Sequence, residues 1–306
     1  MTDSKSFTGS LDIFFGATSV VESQIYVRAL AADGVSLSGC VRGPFCAHAD
    51  TLPSEFSLQR LDREYSDVLR AIVADPCFWT PESPFLYDVT LNLQADGCTE
   101  ETLHRQIGIR PLGVDGRHFR YAGCRYVMRL VDFSALTEEF CEPHQLLRAC
   151  RETGTGLLVP AGEQTLADQA SREGVLLAAR VAGDSEESLV QSLSRLTEWP
   201  AVAMVVLDEM LDLPEGLDQR APNLMFACQR TCPKTPPEWA QVLLVDDALL
   251  QQGDLVASTL PQPVLAIKQL AAPTTLGKAR QFCDELQRET AHLGDLAGYI
   301  VSCRGL

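Results

Sequence analysis

Several charged or polar side chains stand at or just behind the ends of short apolar runs. Asp208 and Glu209 follow the run 202–207, Lys268 follows 264–267, and Asp132, Arg180, Arg230, Ser258 and Arg304 end or follow similar stretches. A continuous apolar run is the pattern of a buried strand, so each of these residues is delivered to a strand end. A carboxyl group held there can give or take a proton in a hydrolysis. A lysine there, its pKa lowered by burial, can form a Schiff base with a carbonyl compound, and a neighbouring carboxylate would oppose this by keeping the amine charged. Strand-end polar residues also cap helices or face water, and that plainer role is open to every one of them.

Metal chemistry has less support. The histidines, His48, His104, His118, His144 and His292, stand apart, none in HxxxH or HxH spacing. The 11 cysteines contain no CxxC, and the closest pair is Cys228 and Cys232. Structural zinc wants two close pairs converging, so neither a metal nor a cofactor is expected. The cysteines read as small buried hydrophobes in a reducing compartment.

The elements that must position these residues change along the chain. Up to about residue 115 the sequence reads as β structure, with runs at 23–31, 35–42, 56–61, 68–73, 86–93 and 103–109. Ala32-Asp33-Gly34 predicts a hairpin between the first two runs, and Asp96-Gly97 and Asp115-Gly116 predict further hairpin turns. The charged stretch 62–67 reads as a loop or one helical turn. Short strands at this spacing predict an antiparallel sandwich.

From about Arg120 apolar runs alternate with amphipathic helices. The runs are 126–131, 156–160, 175–180, 202–207, 223–228, 255–259, 264–267 and 297–302; the helices are 142–152, 164–173, 185–196, 236–252 and 275–292. Pro236 and Pro237 read as a helix start and Gly253 as a stop. Such alternation predicts a parallel sheet covered on both faces, and the number of runs fits a compact (β/α)8 barrel with its reactive face at the strand C-termini. The connection after the fourth run shows no clear helix. Periodicity alone leaves an open doubly wound sheet as the alternative. No GxGxxG or GxxxxGK[ST] follows any run, so nucleotide binding has no support.

Composition narrows the partners. The 306 residues carry 25 Lys+Arg against 41 Asp+Glu, a formal net charge of −16, which disfavours nucleic acid and anionic membranes. At 46% hydrophobic and 22% charged the chain is globular, not disordered, collagenous or coiled coil. No apolar run approaches the ~18 residues of a membrane helix. The N-terminus, MTDSKSFTGSLDIFF, lacks the basic-then-apolar order of a signal peptide, so a cytoplasmic location is expected.

One stretch is more specific than any of this. Cys77-Phe78-Trp79-Thr80-Pro81-Glu82-Ser83-Pro84-Phe85-Leu86-Tyr87-Asp88-Val89 resembles the LWSPExPxLYxV segment of glycoside hydrolase family 2, the family of β-galactosidases, β-glucuronidases and β-mannosidases. Ile107-Gly108-Ile109-Arg110 is similar to the family's GfR turn at its sandwich–barrel boundary, and residues 117–129 resemble the hairpin that leads into barrel strand one. Downstream, 166–177 resembles a helix–strand unit of the family, 199–209 resembles HPSiimWslgNE, and 262–268 resembles kPiivtE. The resemblance covers roughly residues 20–306. It implies an immunoglobulin-like β-sandwich over 1–115 followed by a TIM barrel over 116–306. By this resemblance, the family's N-terminal jelly-roll domain, which helps build the sugar pocket, is expected to be missing.

The resemblance also assigns roles. A retaining glycosidase needs two carboxyl groups about 5–5.5 Å apart, at the ends of barrel strands four and seven. Residue by residue, the family's Asn falls on Glu209 and its acid/base Glu on Met210; a one-residue slip brings Glu209 to the acid/base place and Asp208 to that of the Asn. Lys268 occupies the nucleophile position, and no carboxylate follows until Asp284. An ammonium cannot attack an anomeric carbon to give a glycosyl ester. The expectation is therefore a degenerate, catalytically inactive family 2-like protein, a carbohydrate-binding or interaction module whose partner is a carbohydrate, another protein or a second copy. Glu209 and Lys268 are expected to neutralise each other across the barrel mouth, and Asp132, Arg180, Arg230 and Arg304 are pocket candidates. The enzyme alternative is a divergent hydrolase with Glu209 as acid/base and a non-standard partner such as Asp132, at about the 6.5–9.5 Å inverting separation. Trp79 and Trp199 are expected to be packing residues.

Overall fold

Period-two alternation in the first third of the chain builds two antiparallel sheets. The computed structural model describes residues 10–30, 35–61, 68–95, 101–137, 142–182, 185–211, 213, 216–217, 221–231, 235–252 and 257–303. In chain order the strands are β1 (Ser10–Thr18), β2 (Glu22–Leu30), β3 (Val35–Phe45), β4 (Ser54–Ser57), β5 (Gln59–Arg60), β6 (Val68–Ala74), β7 (Leu86–Ala95) and β8 (Glu101–Ile107). One sheet runs β1-β2-β6-β5 and the other β4-β3-β7-β8. Ile25, Val27, Leu69, Ala71 and Val73 from the first meet Leu37, Val41, Val89, Leu91 and Leu93 from the second, all buried. This is an immunoglobulin-like sandwich, and it carries the corner such domains use: the Tyr87 hydroxyl accepts from Cys77 N at 2.8 Å and donates to Cys77 O at 3.3 Å.

Two expectations change here. The hairpin across 31–34 does not form between β2 and β3, because β2 pairs with β1 and β6 while β3 pairs with β4 and β7. Both strands are filled on both edges, so the chain crosses from one sheet to the other. Strand β1 was not anticipated, although Leu11, Ile13 and Phe15 alternate onto the sandwich core. Residues 31–34, 62–67 and 96–97 lie outside the described residues.

A three-stranded meander follows, of β9 (Leu112–Asp115), β10 (His118–Tyr121) and β11 (Cys124–Tyr126), with the Asp115-Gly116 turn between its first two strands. Position 115/116, where the sequence changes character, lies inside it.

The barrel is closed and all-parallel, formed by β12 (Met128–Asp132), β13 (Gly156–Pro160), β14 (Leu177–Arg180), β15 (Val202–Asp208), β16 (Met225–Arg230), β17 (Val242–Asp246), β18 (Val264–Leu270) and β19 (Gly298–Cys303). Its helices are α1 (Pro143–Thr153), α2 (Gln164–Glu173), α3 (Glu186–Leu196), α4 (Asp247–Gln252) and α5 (Leu276–Glu289). The closed ring removes the doubly wound alternative. The sixth strand is a correction: it is β17, inside the stretch read as helix 236–252, and of the run 255–259 the described part, Ala257–Thr259, is a single 3-10 turn. Residues 242–245 are all apolar and all buried, so they show neither helical nor strand periodicity. Among the described residues, the connection after β16 shows no helix, and that after β15 shows a single helical residue, the buried Leu217.

The sandwich and barrel meet along a seam with a buried centre. Trp79 is fully buried, and its indole N–H donates to Ser171 O of α2 at 2.7 Å, while the Tyr121 hydroxyl donates to Trp79 O at 2.6 Å. Arg110, also buried, donates to Pro200 O and, at 2.7 Å, to Asn223 O; burial pulls its pKa down to about 10, so it stays charged at neutral pH. The Asn223 amide spans the β1 backbone, accepting from Phe15 N at 3.0 Å and donating to Phe15 O at 2.9 Å. Two glycines allow the close approach. A Cβ on Gly108 would sit 2.9 Å from Pro200 and Trp79 carbons, and one on Gly174, at φ +80, would sit 2.4 Å from Pro81 O.

Candidate functional site

Strand register decides which side chains face the barrel lumen. Paired residues in a ladder share a face, and faces alternate along each strand. The pairs Leu158↔Ala178, Pro160↔Arg180, Arg180↔Val206, Asp208↔Gln229, Asp246↔Ile267 and Gln269↔Ser302 place Asp132, Arg180, Asp208, Gln229, Asp246, Gln269 and Ser302 on one face at the strand C-termini. The other face meets the helices: Arg129 donates to Gln287 of α5 at 2.8 Å, and Ala266, two residues before Lys268, pairs with Tyr299 on that same side. The first set is therefore the ring around the mouth.

Asp132 is the hub of that ring. Its side chain is only 4% exposed. Oδ1 accepts from Ser134 N at 3.0 Å and Ser134 Oγ at 2.7 Å; Oδ2 accepts from Ser302 Oγ at 2.8 Å and Arg180 Nη1 at 3.1 Å. Four donors fill the acceptor capacity of a carboxylate and fix its orientation. Of the candidates, Asp132 and Arg180 are thus brought together across strands one and three.

Glu209 and Arg230 form a second, separate pair. Oε2 of Glu209 lies 3.0 Å from Arg230 Nη1, with the side chains 9% and 2% exposed, and Oε1 accepts from Thr231 Oγ1. Arg230 alternates with the ring residue Gln229 and so belongs to the outer face, and the ion pair draws Glu209, in the turn after β15, to the same side. Cys228 shares this face; burial pushes its thiol up to about 11, with Arg230 opposing the shift. Asp208 is exposed and its Oδ1 accepts from Met210 N at 2.8 Å, closing the turn after β15. Met210 is 80% exposed.

The expected bridge between Glu209 and Lys268 is not formed. Lys268 Nζ lies 3.1 and 3.3 Å from the two carboxylate oxygens of Glu289 and 5.8 Å from the Phe282 ring centroid, both on α5. Alternation sends the side chain at 268 to the helical layer, and each member of the expected pair has a nearer partner. Inward on β18 stand Ile267 and Gln269; no residue of that strand is a carboxylate. Ser258 lies in the 3-10 turn, off the barrel strands, and Arg304 lies outside the described residues. Gln229, Asp246, Gln269 and Ser302 were not singled out beforehand; counting alternate positions along each run would have found them once one inward residue was known. Among the described residues, no group of three His, Cys, Asp or Glu could hold a metal ion, and no helix is long and apolar enough to cross a membrane.

Residues 47–110 match the family model described as Glycosyl hydrolases family 2, a segment that includes Trp79, Gly108 and Arg110 of the seam. Among solved structures, the β-glucuronidase of Parabacteroides merdae matches with a TM-score of 0.64 at 12% identity, over 97% of this chain and 47% of that one. The Lactobacillus rhamnosus β-glucuronidase matches at 0.64 and 13%, over 96% and 60%. That of Bifidobacterium dentium, complexed with coumarin-3-O-glucuronide, matches at 0.63 and 12%, over 95% and 59%. The chain thus spans between 47% and 60% of the length of these structures. No curated protein matches it in sequence. The chain is glycosyl hydrolase family 2-like, in the matched segment by sequence and over its sandwich and barrel by fold.

Proposed function

We propose that this glycosyl hydrolase family 2-like chain is a pseudo-glycosidase, a carbohydrate-binding or interaction module that performs no retaining hydrolysis. One observation carries the reading: the end of β18 offers Ile267, Lys268 and Gln269, and no carboxylate on either face. Double displacement needs a carboxylate nucleophile to form the glycosyl ester, and neither an amide nor an ammonium replaces it. The acid/base place falls on Met210, a thioether with no proton to give. Glu209, the residue a one-step slip would supply, is held by Arg230 at 3.0 Å on the outer face. A carbohydrate remains the ligand class we favour, since the proteins with this fold named above are β-glucuronidases. We keep 1–115 and 116–306 as the working division into sandwich and barrel.

The test is direct. Purified chain is incubated with nitrophenyl β-glucuronide, β-galactoside and β-mannoside, and the expected release equals that of buffer alone. Turnover that disappears in Glu209→Gln would overturn the proposal in favour of a divergent hydrolase.

A further inference from the structure

Away from the mouth, a cleft of about 870 Å³ opens beside the seam, between the outer face of sheet β4-β3-β7-β8 and the barrel's α2 with the turn before β15. We propose that this cleft binds an uncharged oligosaccharide. The inference rests on the carbohydrate reading above and moves the ligand from the barrel mouth to the seam. A volume of several hundred cubic ångströms at a domain junction is where small-molecule sites concentrate.

Trp199 supplies the aromatic wall. It packs partly on the barrel core, and the rest lines both this cleft and a smaller cavity that continues inward beside Ile13 and Arg105. Its backbone N–H is bonded to Leu196 O, whereas its indole N–H takes part in no hydrogen bond among the described residues. A flat apolar face with a free donor at its rim matches a pyranose, whose ring presents C–H groups on its faces and hydroxyls at its edge.

Planar polar groups surround it. Gln106 Nε2 donates to Asp88 Oδ1 at 2.8 Å, which fixes both side chains and leaves Asp88 Oδ2 and Gln106 Oε1 for hydroxyl donors. Arg105 and Glu198 line the cleft together with Trp199. The charges nearly cancel: Arg42, Arg105 and Arg172 stand against Glu55, Asp88, Asp168 and Glu198. In a chain of net charge −16, this local balance selects against polycations as well as polyanions and suits an uncharged polyhydroxyl ligand.

The experiment titrates β-1,4-linked tetrasaccharides of glucose, galactose, mannose and xylose into the full chain, read by calorimetry and tryptophan fluorescence. The variants are Trp199→Leu, the double variant Arg105→Ala/Glu198→Ala, and Asp132→Asn at the mouth. Expected is saturable binding of at least one tetrasaccharide, weakened about tenfold or more in both seam variants and unchanged in Asp132→Asn. If thermal melting shows Trp199→Leu unfolded, the exposed double variant decides. The proposal is overturned if no tetrasaccharide saturates up to about 10 mM, or if binding survives intact in the seam variants. Binding lost only in Asp132→Asn would overturn the seam site and leave a carbohydrate-binding module, whereas nitrophenol release would defeat the pseudo-glycosidase reading by itself.

Discussion

The two ends of the barrel are made by the same eight strands and hold opposite kinds of chemistry. At the N-terminal end, Trp79, Arg110 and Asn223 satisfy every named polar group of the seam with a backbone partner from the other domain. At the C-terminal end, side chains satisfy one another: Asp132 with Arg180 and Ser302, Glu209 with Arg230, Lys268 with Glu289. The motifs that resemble the family fall on the first end, and the departures from it fall on the second. Backbone-directed contacts constrain shape, and a substitution there exposes a main-chain group that cannot move away. Side-chain pairs are replaceable as pairs, so on the pseudo-glycosidase reading proposed above the mouth changes its carboxylates while the scaffold persists.

The contrast can be broken by measurement, and the largest effect is expected at the seam. Trp79→Ala removes a fully buried indole and its bond to Ser171 O; chemical denaturation should show a loss of about 3–5 kcal/mol. A loss below about 1 kcal/mol would mean that the seam is not what holds the domains. Next comes the outer pair. Arg230→Met takes the cation away from buried Glu209 and should cost about 3 kcal/mol, whereas the double variant Glu209→Met/Arg230→Met should return close to the parent stability. A double variant as unstable as the single one would show that the pair matters beyond mutual neutralisation.

Lys268→Glu sharpens the comparison from the chemical side. It puts a carboxylate at the position that the resemblance assigns to the family's nucleophile, yet that side chain faces α5, so nitrophenyl glycosides should stay intact. Stability should fall by roughly 0.5–1 kcal/mol, because the lost ion pair to half-exposed Glu289 is weak and a like charge replaces it. The smallest effect is expected at Asp247, beside the mouth. Burial, then Asp246, raises its pKa above the ordinary 3.8. The folded state therefore holds this proton more tightly than the unfolded one, and its contribution is most favourable below 3.8 and fades as pH rises through the raised value. Asp247→Asn should flatten that part of the stability–pH curve and leave a small gain at neutral pH, read as a slightly higher melting temperature.

Much of the fold was legible in the sequence, because alternation of apolar runs and amphipathic helices is a direct imprint of a covered parallel sheet. Helix 164–173 matches α2 at both ends, since an amphipathic stripe and Gly174 mark it. The sixth strand was not legible: Val242-Leu243-Leu244-Val245 is buried all round, and a run with no polar side has no period. The candidate site was legible in its residues but not in its geometry. Sequence adjacency made Asp208 and Glu209 look equivalent, while in the barrel one faces the ring and the other the opposite side. Which is which depends on register, and register between β14 and β15 includes an irregularity at Leu177/Ala178 that no propensity announces.

The seam also sets an order in time. Trp79 and Arg110 leave the ribosome with the sandwich, but the carbonyls they need belong to Ser171, Pro200 and Asn223, as many as 113 positions later. At roughly 5–20 residues per second, a finished sandwich waits on the order of ten seconds with an indole N–H and a guanidinium turned towards a surface that does not yet exist. During that interval its docking face is an exposed apolar patch carrying one cation, the kind of surface that a holding chaperone or another nascent chain recognises.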